Sequence, residues 1–90
     1  MEVSFHLLFG TRDRADKAAR LLEAEGYEVG FQPQSDGRSL VVTASRRPAP
    51  SAEEIRILRA RMVALAHDLG GEFMGHSGAQ QVVLPADPLM

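Results

Sequence analysis

Apolar and polar positions alternate through the first nine residues. Val3, Phe5, Leu7 and Phe9 form one set; Glu2, Ser4, His6 and Leu8 form the other. A period of two marks a strand with one face buried and one open. Gly10 ends it, and the spacing then lengthens. Ala15, Ala18, Ala19 and Leu22 recur at steps of three and four, a narrow apolar stripe along a helix. Thr11 stands where its hydroxyl can accept from a free amide of the first turn. Asp13 adds negative charge at the favourable end of the helix dipole. Asp13–Lys17 and Asp16–Arg20 are spaced for exposed ion pairs, acid first. Gly26 is the expected stop.

Alternation returns over 27–33, with Tyr27, Val29 and Phe31 opposed to Glu28, Gly30 and Gln32. The phrase QSDG at 34–37 reads as a turn. Residues 38–46 contain LVVTA, rich in β-branched side chains, so the two segments should pair as an antiparallel hairpin. Leu40, Val42 and Ala44 are expected to face inward, and Val41, Thr43 and Ser45 outward. The run Arg46–Arg47–Pro48–Ala49–Pro50 breaks the pattern. Ser51 with Glu54 three positions on is a capping box. Behind it Ile55, Leu58, Met62, Leu65 and Leu69 step by three and four, the strongest helical signal in the chain. Gly70 and Gly71 should stop this helix and release the chain into a fourth strand at the sheet edge from Glu72, with Phe73 turned to the core. Residues 80–84 either continue that strand or add another.

The order βαββαβ predicts an α+β domain with a ferredoxin-like split fold, an antiparallel sheet with both helices on one face. Its expected extent is 1–84, with 85–90 a loose tail marked by Pro85 and Pro88. A length of 90 residues makes this one domain. Hydrophobic content of 44% is enough for a core, which argues against disorder over most of the chain.

Charge and chemistry narrow the function. A net charge of −2 offers no electrostatic case for non-specific nucleic-acid binding. The basic groups Arg12–Arg14–Lys17–Arg20 and Arg56–Arg59–Arg61 are interleaved with acids, as on solvated helix faces. The outward positions of strands one and three carry no aromatic pair for stacking bases, so direct RNA recognition is not expected. The absence of cysteine excludes thiolate nucleophiles and Cys-based metal sites. No serine sits in a nucleophile elbow, and GGEFMG lacks the strand-before, helix-after setting of a phosphate loop. No catalytic residue, metal or cofactor is therefore assigned. No apolar run approaches the length of a membrane span, and the N-terminus lacks a basic, cleavable leader pattern, so a cytoplasmic location is expected.

The histidines divide. His67 falls at the end of the second helix, while His6 and His76 are expected to approach each other on the open sheet face. That face, with Leu8, Val41, Thr43 and Met74, is semi-apolar and uncovered, which suits a protein partner or a second copy of the chain.

Three phrases carry a resemblance: FHLLFGTRDRADKAARLLEAEGYEV, the hairpin end LVVTAS, and the joint LRARMVALAHDLGGEFMG. Together they resemble the regulator of ribonuclease activity B family over about residues 3 to 76. Gly70, Gly71, Glu72, Phe73 and Gly75 are the most specific part. The resemblance implies a ferredoxin-like domain that binds an RNA-degrading endonuclease and inhibits it by protein contact, without a cofactor. Where the family pattern has acid, glycine and tryptophan after the aromatic, this chain has Met74, Gly75 and His76. By resemblance, Met74 and His76 are contact positions, with His6 their neighbour. The alternative is a small-ligand-sensing regulatory domain of the same topology, with its site between paired sheets.

Overall fold

A computed structural model of the protein describes residues 2–48 and 50–78. The elements run β1 (Val3–Phe9), α1 (Arg12–Ala24), β2 (Glu28–Pro33), β3 (Leu40–Arg46), α2 (Ala52–Asp68) and β4 (Glu72–Gly78). The sheet order is β2-β3-β1-β4, with every neighbouring pair antiparallel. This is the expected ferredoxin-like split arrangement. The segment 80–84 and the tail at 85–90 lie outside the described residues.

The alternation of β1 has the expected physical consequence. Val3, Phe5, Leu7 and Phe9 are completely buried, and the residues between them are half-buried. Both helices supply the layer that covers them. Ala15, Ala18 and Leu22 of α1 and Ile55, Met62 and Ala66 of α2 join these strand residues in one cluster. Each large apolar side chain so buried stabilises the fold by about 1.5–3 kcal/mol before entropic costs. α1 lies over β2, β3 and β1, and α2 over β1 and β4. The reverse side of the sheet has no covering element among the described residues.

Helix ends follow the sequence closely. Thr11 Oγ1 accepts from the Arg14 amide at 3.3 Å, and Ser51 Oγ accepts from the Glu54 amide at 3.2 Å. Among the described residues only this serine half of the capping box is formed. Both helices close in the same way. Tyr27 N–H donates to the Leu22 carbonyl at 3.1 Å and Gly26 N–H to Glu23 at 3.0 Å; Gly71 N–H donates to Ala66 at 2.7 Å and Gly70 N–H to His67 at 3.1 Å. These paired bonds are Schellman stops, and they need the left-handed backbone that Gly26 (φ 97°) and Gly70 (φ 77°) supply.

The two glycines of the α2–β4 joint therefore do different work. Gly70 turns the chain, and the Arg14 guanidinium lies against it. Gly71 allows a close approach: a Cβ there would sit 2.5 Å from the Leu8 carbonyl oxygen and from Phe9 Cε1.

Two details differ from the simple pattern. Phe31 faces the helix side, opposite buried Val42, but stands on an edge strand and remains 41% exposed under the Arg12 guanidinium at 5.7 Å. On α1 the ion pair is Arg12–Asp16 at 3.9 Å, in place of Asp13–Lys17 or Asp16–Arg20. Both partners are largely solvated, so the exchange matters little to stability.

Candidate functional site: the uncovered sheet face

The register arranges the open face in three rows. The first runs Gln32, Val41, Leu8, Glu72; the second Gly30, Thr43, His6, Gly75; the third Glu28, Ser45, Ser4, Ser77. Leu8 and Val41 form the apolar end. Val41 faces outward as expected, yet is only 8% exposed between its cross-strand partners Leu8 and Gln32. It supplies the floor of the patch rather than its surface.

The remainder is more polar than a semi-apolar face. Ser4 and Ser45 hydroxyls are 2.9 Å apart. His6 uses both ring nitrogens: Nδ1 lies 3.2 Å from Thr43 Oγ1 and Nε2 lies 3.1 Å from Ser77 Oγ. A hydroxyl can donate or accept, so either neutral tautomer of His6 is satisfied. This hydrogen-bonded chain crosses three strands, β3, β1 and β4, and ties the second row to the third. Glycines stand at both ends of the second row, so the imidazole is not overhung by side chains from Gly30 or Gly75.

The β4 strand changes the expected membership of this face. Leu7 opposes Phe73, but His6 opposes Gly75, so Met74 is an extra residue in a β-bulge. A regular ladder would set His76 opposite Ser4, on the open side. The inserted residue instead sets His76 opposite Phe5, on the helix side, with the two rings 5.9 Å apart. His76 there joins an aromatic group around Phe5 that includes Tyr27 at 6.2 Å and Phe73 at 6.5 Å. The expected approach of His6 and His76 across the open face does not occur. Ser77 takes that place, a residue that alternation from Glu72 assigns to the wrong side. The available signal was Gly75, a lone glycine inside a strand pattern and a common mark of a bulge; its φ is 129°.

The other positions are distributed as follows. Met74 is 56% exposed at the bulge. Leu8 and Thr43 are half-buried. His67 is exposed in the last turn of α2. The three histidines thus occupy three separate places, and among the described residues no group of three or more His, Asp or Glu side chains could hold a metal ion. No helix among the described residues is long and apolar enough to cross a membrane.

Among the described residues the sheet is backed by helices on one face only, and the other face is rich in hydroxyls. A family model for RraB, regulator of ribonuclease activity B, matches residues 1–77. The chain belongs to the regulator of ribonuclease activity B family. The match spans both helices and nearly all of β4, so it includes the bulge and the three rows of the open face. Neither a curated protein nor a solved structure matches the chain significantly. RraB is a family of regulatory proteins.

Proposed function

We propose that this RraB-family protein is a non-enzymatic cytoplasmic regulator that binds an RNA-degrading endonuclease and inhibits it by direct contact. The family match over residues 1–77 carries this reading. The uncovered sheet face supplies the surface. Met74 is its protruding apolar group, Leu8 beside Val41 its apolar end, and the hydrogen-bonded Thr43–His6–Ser77 chain its polar centre. His76 lies behind the sheet and contributes by holding β4 against Phe5, not by touching the partner. A face whose centre is hydrogen-bonded favours a partner with polar groups to match over a dry pairing with a second copy of the chain.

The test is inhibition of RNA cleavage by the endonuclease purified from the same host. Wild-type protein should slow cleavage in a saturable way. Met74→Asp puts a charge on an exposed position without disturbing the core, and should weaken inhibition about tenfold or more if Met74 is an interface anchor. Thr43→Arg should do the same by obstructing the middle row. Absence of binding by the wild-type protein, or full potency in both variants, would refute the proposal.

A further inference from the structure

A cleft of about 250 Å³ opens on the opposite side of the molecule, between the C-terminal end of α1 and the middle of α2. Leu22, Tyr27, Leu58, Met62 and Leu65 line it, with exposed Ala64 at its mouth. Leu58 and Leu65 belong to the apolar stripe of α2, yet both are only half-buried. Tyr27 is 4% exposed, and its hydroxyl is shielded from solvent without a hydrogen-bond partner among the described residues. Buried phenol oxygens in proteins usually find a partner. Burial also pushes the Tyr27 pKa up, so at neutral pH the group is an intact O–H donor.

We propose that this cleft is a docking site for one aliphatic side chain of a partner polypeptide. The Tyr27 hydroxyl donates to a main-chain carbonyl of the same segment. The volume suits a single side chain of leucine size with its flanking amides. The half-buried Leu58 and Leu65 complete their burial against it and yield to let the carbonyl reach the phenol. Charge disfavours an anionic occupant. Glu25 and Arg61 at the cleft pair at 3.3 Å, and Asp68 adds a second carboxylate to the lining. A carboxylate ligand would meet that excess negative charge, whereas an aliphatic side chain does not. The site is separate from the open sheet face, and its test contains no ribonuclease, so the two proposals fail independently.

Titration of the full chain with N-acetyl-leucine methylamide, followed by methyl and amide NMR, tests it. Saturable shifts should concentrate at Leu22, Tyr27, Leu58 and Leu65, with a dissociation constant on the order of 1–10 mM for so small a probe. Tyr27→Phe should keep the dispersed spectrum of a folded protein and bind roughly three- to tenfold more weakly, the effect of one hydrogen bond. Ala64→Trp, altering only an exposed side chain at the mouth, should abolish the shifts. N-acetyl-aspartate methylamide should not bind. Shifts scattered over the surface, unchanged affinity in Tyr27→Phe, or equal binding of the aspartate probe would each overturn the proposal.

Discussion

Replacing Gly71 with alanine adds a single methyl group where the α2–β4 joint crosses the end of β1. The new Cβ would meet the Leu8 carbonyl oxygen and Phe9 Cε1, each at 2.5 Å. Real Cβ contacts are about an ångström longer, and neither neighbour can retreat freely. The carbonyl belongs to the central strand, which is bonded on both sides to β3 and β4. The Phe9 ring is fully buried, so its movement would displace the core. Overpacking of a rigid site costs about 1–3 kcal/mol, and two immovable partners put this case near about 3 kcal/mol. For a domain of this size that lowers Tm by about 12–24 °C. Thermal and urea unfolding, monitored by circular dichroism, would measure it. Two controls separate crowding from backbone effects. Gly30→Ala has nothing within 4 Å of the new Cβ and should be neutral or stabilise by about 0.5 kcal/mol. Gly70→Ala suffers from φ +77°, at about 1–2 kcal/mol, while the Arg14 side chain against it can swing away. The expected order of damage is Gly71, then Gly70, then Gly30. If Gly71→Ala melts within a few degrees of Gly30→Ala, the joint is free to lift from β1 and the close-approach argument is wrong.

Ser51→Ala should destabilise by about 1 kcal/mol through loss of the α2 cap, visible as a Tm lower by about 4–8 °C. Asp36 closes the β2–β3 turn, accepting from the Ser39 hydroxyl at 2.6 Å and from the Ser39 and Arg38 amides at 2.8 and 2.9 Å. These bonds, the Ser39 hydroxyl first, lower its pKa to about 2 from an ordinary 3.8. A depressed carboxyl favours folding above the ordinary value and loses that contribution as pH falls towards 2. Ser39→Ala should move the carboxyl titration upward by NMR, and an unchanged titration would contradict the assignment. Tyr27 is the only tyrosine, so phenolate absorbance reports it alone. Burial raises its pKa, reinforced by Glu25 and opposed by Arg46 and Arg61. Above the ordinary value of 10.0 the unfolded chain ionises first, so stability should fall with rising pH there, and Tyr27→Phe should remove that part of the alkaline loss.

Much of this protein was legible from local pattern. The alternation of β1 separated buried Phe5 and Leu7 from outward Ser4 and His6. Thr11 and Ser51 marked both helix starts, and Gly26 and Gly70 both stops, because caps and left-handed turns depend on a few adjacent residues. The element order then left few topologies, and the ferredoxin-like one formed. The candidate face was legible on β1 and β3, whose ladder is regular. It was misread on β4, where one inserted residue reverses every later side chain.

Residue pattern alone thus settled which of the described segments are helix and strand, where the helices begin and end, and which side of the central strands is dry. Those properties arise from interactions within a few residues. Three others needed neighbours distant in the chain. The Met74 bulge exists only relative to β1, and it sends His76 behind the sheet and Ser77 to His6. Val41, on a strand flanked on both sides, is nearly buried, while Phe31, with the same alternation as Tyr27, is left on an edge. Gly71 is required by Phe9 and the Leu8 carbonyl, which approach it only once β4 has paired with β1. Pairing register and lateral neighbours are properties of the assembled sheet, and no periodicity within one strand encodes them.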